Sequence, residues 1–81
     1  MGKDWQGERE ESDANGLRPL DIKVLRCGSY GYGIDTTARE LGINPARVKL
    51  ARKRAREALN VPRRRRFAGA IREARRRGII E

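Results

Sequence analysis

The stretch Thr37-Ala38-Arg39-Glu40-Leu41-Gly42-Ile43-Asn44-Pro45-Ala46-Arg47-Val48 decides how this chain is read. A helix-turn-helix needs a small residue where its second helix crosses the first, and Ala38 supplies it. At the turn it needs a residue free to take an unusual backbone angle, which Gly42 provides. Apolar residues after the turn and one step into the second helix must then lock the two together, and Ile43 and Val48 stand there. Ala38, Gly42 and Val48 follow one another at intervals of 4 and 6, as that motif requires. Asn44 is a good N-cap, and Pro45 falls where a missing N–H costs nothing.

Downstream, Val48, Ala51, Ala55 and Leu59 recur on one face of a helix that Asn60 and Pro62 end. Its other faces hold Arg47, Lys49, Arg52, Lys53, Arg54 and Arg56. A fourth helix is expected from roughly Arg64 to Arg77, with Phe67, Ala70, Ile71 and Ala74 on one side. Gly78 stops it and leaves Ile79-Ile80 as an apolar cap.

Upstream, Asp35 is the expected N-cap of a short helix running to Leu41, with Ala38 and Leu41 inward. Before it, Leu17, Leu20, Val24 and Cys27 recur at helical spacing, and Pro19 suits a first turn. Gly28, Gly31 and Gly33 are expected to break that helix around Tyr30 and Tyr32, which either pack against it, meet phosphate or stack on a base. Residues 1–16 show no period and are read as a disordered acidic tail, with Trp5 either solvated or docked. No segment reads as a strand. The expectation is an all-α, four-helix helix-turn-helix domain over residues 17–81.

Charge narrows the partner. The chain carries +9 overall, unevenly placed. Residues 1–16 have two basic against five acidic side chains, a net of −3, and residues 17–81 have eighteen against six, a net of +12. A basic domain behind an acidic tail fits a polyanion. One Cys and no His leave no disulfide, no familiar zinc site and no metal. The free thiol and the lack of a signal segment fit a reducing cytoplasm. No apolar run approaches a membrane span. No nucleophile is paired with a base, Asp21 and Glu40 are single carboxylates, and Gly31-x-Gly33 follows no strand, so neither an enzyme nor a cofactor is expected.

The chain resembles the LuxR/FixJ-type helix-turn-helix of bacterial transcription regulators. Leu17, Pro19, Asp21, Val24 and Leu25 are similar to that family's opening, with Asp where Glu is usual, and Gly31-Tyr32 precedes its scaffold helix. Ala38, Leu41-Gly42-Ile43 and Val48-Lys49 match its core; Leu59-x-Val61 and Ala70-Ile71-x-x-Ala74-x-x-x-Gly78-Ile79-Ile80 match its end after a three-residue insertion. Thr37 replaces a usual aliphatic residue, Gly28 a usual Leu, and Gly33-Ile34 a polar cap, which implies a looser Gly28–Gly33 stretch. Sigma-factor region 4 is similar over the centre but lacks the closing helix.

The resemblance implies a third helix in the major groove of double-stranded DNA, with base contacts from Lys49, Leu50 and Lys53. These positions also point away from the apolar face. Lys can donate to guanine, and Leu50 can touch a thymine methyl. Arg47, Arg54 and Arg56 suit phosphates. Arg63 and Arg64 open a four-arginine run that either braces phosphates or begins the last helix in solvent. Family members dimerise through the closing helix, which makes Ile71, Ala74 and Ile79 either a candidate dimer face or a closure of the monomer's own core, while Phe67 is assigned to the core. A region-4-like reading implies contact with RNA polymerase. The function expected is that of a small regulator, of a kind that suits a phage or mobile element. A DNA-packaging or architectural subunit, and an RNA-binding basic module, stand as alternatives.

Overall fold

A computed structural model describes residues 16–81. The acidic tail expected over residues 1–16 lies outside them, apart from Gly16. Four helices follow: α1 (Pro19–Ser29), α2 (Ile34–Leu41), α3 (Pro45–Ala58) and α4 (Arg66–Arg76), with a 3-10 turn at Arg63–Arg65 leading into the last. No strand occurs among the described residues, so the fold is all-α.

All four helices end in one way. After α1 the N–H of Tyr32 donates to Cys27 and that of Gly31 to Gly28; after α2, Ile43 donates to Ala38 and Gly42 to Arg39. After α3, Val61 donates to Arg56 and Asn60 to Glu57; after α4, Ile79 donates to Ala74 and Gly78 to Arg75. This paired closure needs a left-handed residue at the stop. Gly31, Gly42, Asn60 and Gly78 all have φ between 57° and 86°. Glycine does this without strain, and Asn is the next most tolerant residue.

Two apolar clusters share the interior. Leu17, Leu25, Ala55, Leu59, Ala70, Ala74 and Ile80 join α1, α3 and α4. Val24, Ala38, Val48 and Ala51 join α1, α2 and α3. Phe67 packs against both and ties the clusters together. Thr37, standing where an aliphatic residue was expected, is fully buried all the same.

The helix boundaries differ from expectation in three places. α1 does not break at Gly28 but runs through it to Ser29. The reason is steric: a Cβ at Gly28 would lie 2.7 Å from Phe67 Cε2 and 2.8 Å from Ile71 Cδ1. Gly28 therefore marks a close approach of α1 to α4, not a loose loop. At α2, Gly33 is the N-cap and Asp35 lies inside the first turn, where its carboxylate still suits the positive end of the helix. The last helix begins at Arg66 rather than Arg64. Arg66 takes φ 58° and ψ −167°, a conformation costly for a residue with a side chain, and this redirects the chain out of the 3-10 turn.

Candidate nucleic-acid interface

The presentation of α3 starts at its cap. Asn44 Oδ1 accepts the Ala46 N–H at 2.7 Å, and Pro45 opens the helix as the sequence predicts. Val48, Ala51 and Ala55 are then buried against the other helices. Helical geometry turns the remaining positions outward. Ala46, Arg47, Lys49, Leu50 and Lys53 are all exposed. Leu50 is 52% exposed, which sets it apart from the other large aliphatic side chains among the described residues. No Asp or Glu occurs between Glu40 and Glu57, so this face carries no acidic side chain of its own until the helix's end.

The other candidate cations divide between inward and outward roles. Arg54 turns inward: its Nε and Nη2 donate to Asp21 Oδ1 at 3.3 and 3.1 Å. Asp21 is 1% exposed and Arg54 27%. The other oxygen of Asp21 accepts the Arg18 N–H at 3.1 Å and so closes the start of α1. Arg54, expected at a phosphate, fastens α3 to α1, because a buried carboxylate needs a cationic partner. Arg52 is also engaged: its guanidinium lies 4.4 Å from the Phe67 ring centroid, and Nη2 donates to the Tyr32 carbonyl at 3.3 Å. Burial draws its pKa below the ordinary arginine value. Arg56 is half-buried, whereas Arg63 and Arg64 are exposed on the 3-10 turn.

Of the three residues expected as a dimer face, one is fully buried and two are half-buried. Ala74 is 0% exposed, and Ile71 and Ile79 pack against the α1–α3–α4 cluster. They close the monomer, since so short a chain has few other apolar residues to do so. Phe67 is a core residue, as expected. Tyr30 is exposed and meets the Tyr32 ring edge to face, centroids 5.6 Å apart.

Asp21 is the residue that reading the sequence missed. Its position three residues after Arg18 signals a helix start, but nothing in the sequence couples it to Arg54, thirty-three residues away. Among the described residues no cluster of His, Cys, Asp or Glu could hold a metal ion, and no helix is long and apolar enough to cross a membrane.

These features define a small all-α helix–turn–helix protein with a basic, partly apolar outer face on its third helix. Comparison with protein-family models, with curated proteins and with solved structures finds no match to this chain.

Proposed function

We infer that this protein binds double-stranded DNA by laying α3 in the major groove, as a small transcription regulator working in the cytoplasm. One observation carries the reading: half-exposed Leu50 stands between Lys49 and Lys53 on a helix face without carboxylates. Two cationic donors beside an aliphatic contact suit a guanine edge next to a thymine methyl. An all-cationic face would suit phosphate alone. Arg47 at the helix start, Arg56, and Arg63 and Arg64 on the following turn flank that group and hold phosphates, which sets register without reading sequence. Exposed Ala46 leaves room for the backbone to approach the duplex.

The test is selection from random duplexes, followed by titration of the enriched site at several salt concentrations. Four neutralised phosphates give log K against log salt a slope of about −4. Recovery of a defined site supports the regulator. Absence of any enriched sequence overturns it in favour of an architectural or packaging subunit. Equal affinity for A-form RNA overturns major-groove reading altogether, because that groove is too narrow in RNA for a helix to read.

A further inference from the structure

A groove of about 870 Å³ opens between the C-terminal end of α1 and the outer flank of α4. Its floor includes Gly28, Gly69 and Ile71. Neither glycine could carry a side chain without displacing neighbours: a Cβ at Gly69 would lie 2.7 Å from Arg65 Cβ and 3.0 Å from Val61 Cγ1. The rim carries Arg65, Arg72 and Arg75, and among the described residues no carboxylate side chain lines the groove. Arg75 donates to the backbone carbonyls of Ser29 and Glu81. Arg65 and Arg72 are exposed and have no acidic partner among the described residues.

This flank faces away from the end of α3. Arg77, on the opposite side of α4 from Arg75, donates to the Leu59 carbonyl where α3 ends. Among the described residues no side chain of α3 lines the groove, and only Arg65, next to Arg63 and Arg64, adjoins the residues assigned to DNA.

A flat ring on the glycine floor with carboxylates along the arginine rim is the chemistry that fits. One segment of this chain has that composition. Trp5 is its single tryptophan, and Glu8, Glu10, Glu11 and Asp13 follow it. The segment also joins the domain at a suitable place. Gly16 lies beside Ala58, just ahead of α1. The eleven residues of α1 rise about 16 Å towards the groove, a span that about five extended residues cover. Counted back from Gly16, Glu11 and Glu10 reach the groove first, and Trp5 follows with chain to spare.

We propose that residues 5–13 dock in the α1–α4 groove of their own chain, with Trp5 on the Gly28–Gly69–Ile71 floor and the acidic side chains at Arg65 and Arg72. Docking covers the close helix joint and neutralises this flank of α4, which confines a polyanion to the α3 side. That consequence rests on the DNA reading. The docking itself does not, and its test contains no DNA.

Trp5 is its own reporter in the full chain. A tethered segment at millimolar effective concentration occupies a site of millimolar affinity about half the time. Acrylamide quenching of Trp5 fluorescence at low salt is then about half as steep in the full chain as in a synthetic peptide of residues 1–15. Arg65→Glu with Arg72→Glu restores the peptide's value. So does the triple change Glu8→Gln, Glu10→Gln and Glu11→Gln, which lies outside the helical domain and keeps the test decisive should the arginine variant fail to fold. Equal quenching in the unaltered chain and the peptide overturns the proposal, as does protection that survives the triple change. Protection that grows with protein concentration overturns the own-chain occupant, since it puts a second copy's tail in the groove.

Discussion

On α3, Lys49 and Lys53 stand exposed beside Leu50, with no acidic side chain along the helix before Glu57. On α4, Glu73 sits three and four residues before Arg76 and Arg77 and holds both, at 2.6 and 2.7 Å. Both helices are strongly basic, yet a phosphate or base edge arriving at Lys49 displaces only water, while one arriving at Arg76 must compete with a carboxylate already in place. Arg75 adds to the contrast through its carbonyl partners. Composition assigns the two helices the same polyanion affinity. The local partners separate them: Lys49 and Lys53 of α3 are exposed with no carboxylate along the helix before Glu57, whereas Arg76 and Arg77 of α4 are held by Glu73.

The comparison breaks first if α3 is cut loose from the helix that aims it. Asp21→Ala removes the partner of Arg54 and the acceptor for the Arg18 N–H together. Breaking a fully buried pair costs roughly 3–5 kcal/mol, and partial exposure of Arg54 brings the expected loss to about 3 kcal/mol. Urea unfolding measures it. The double variant with Arg54→Ala should recover part of that loss, because no unpaired charge remains inside. A loss no greater than about 0.5 kcal/mol would place this pair with ordinary surface ion pairs.

A smaller effect sharpens the comparison directly. Lys49→Ala or Lys53→Ala should each weaken the selected DNA site by about 1–3 kcal/mol and relax sequence preference there. Arg76→Ala removes just as much charge from α4 and should leave affinity and salt slope nearly unchanged. Electrophoretic mobility or fluorescence anisotropy titrations decide between them. If Arg76→Ala costs as much as Lys49→Ala, binding follows total charge and the distinction between the helices falls.

Much of this architecture is legible in the sequence, for identifiable reasons. Gly42, Asn60 and Gly78 announce helix ends because few residues tolerate a left-handed backbone, and the Asn44-Pro45 start is equally local. The outward positions of α3 follow from the spacing of Val48, Ala51 and Ala55. What was hidden depended on partners distant in sequence. Gly28 carries the usual mark of a helix breaker, and only the arrival of Phe67 and Ile71 from α4 shows that it is a packing surface. Arg54 looks like its neighbours until Asp21 is brought against it. Ile71, Ala74 and Ile79 have the same pattern whether they close a core or meet a second copy, and only the structure shows Ala74 buried with Ile71 and Ile79 packed part-exposed beside it.

The smallest expected effect concerns the carboxylate that sets α4 apart. Hydrogen bonds from Arg76 and then Arg77 hold the Glu73 carboxyl down at about 2, against about 4.3 for a free glutamate. A carboxylate with a lowered pKa adds stability that is fully present above the unfolded value and is lost as pH falls through the folded one. The contribution of Glu73 should therefore be intact above about pH 4.5 and fade between about pH 4 and pH 2. Solvent exposure and salt screening keep it modest. In thermal unfolding curves taken across that window, Glu73→Gln should start less stable and decline less steeply, so that the two proteins converge near pH 2. Contributions from the other carboxylates are common to both and cancel in the difference. A gap between the melting temperatures that stays constant from pH 6 to about pH 2 would mean that Glu73 does not restrain its two arginines by charge; the contrast between α4 and α3 would then rest on the carbonyl partners of Arg75 alone.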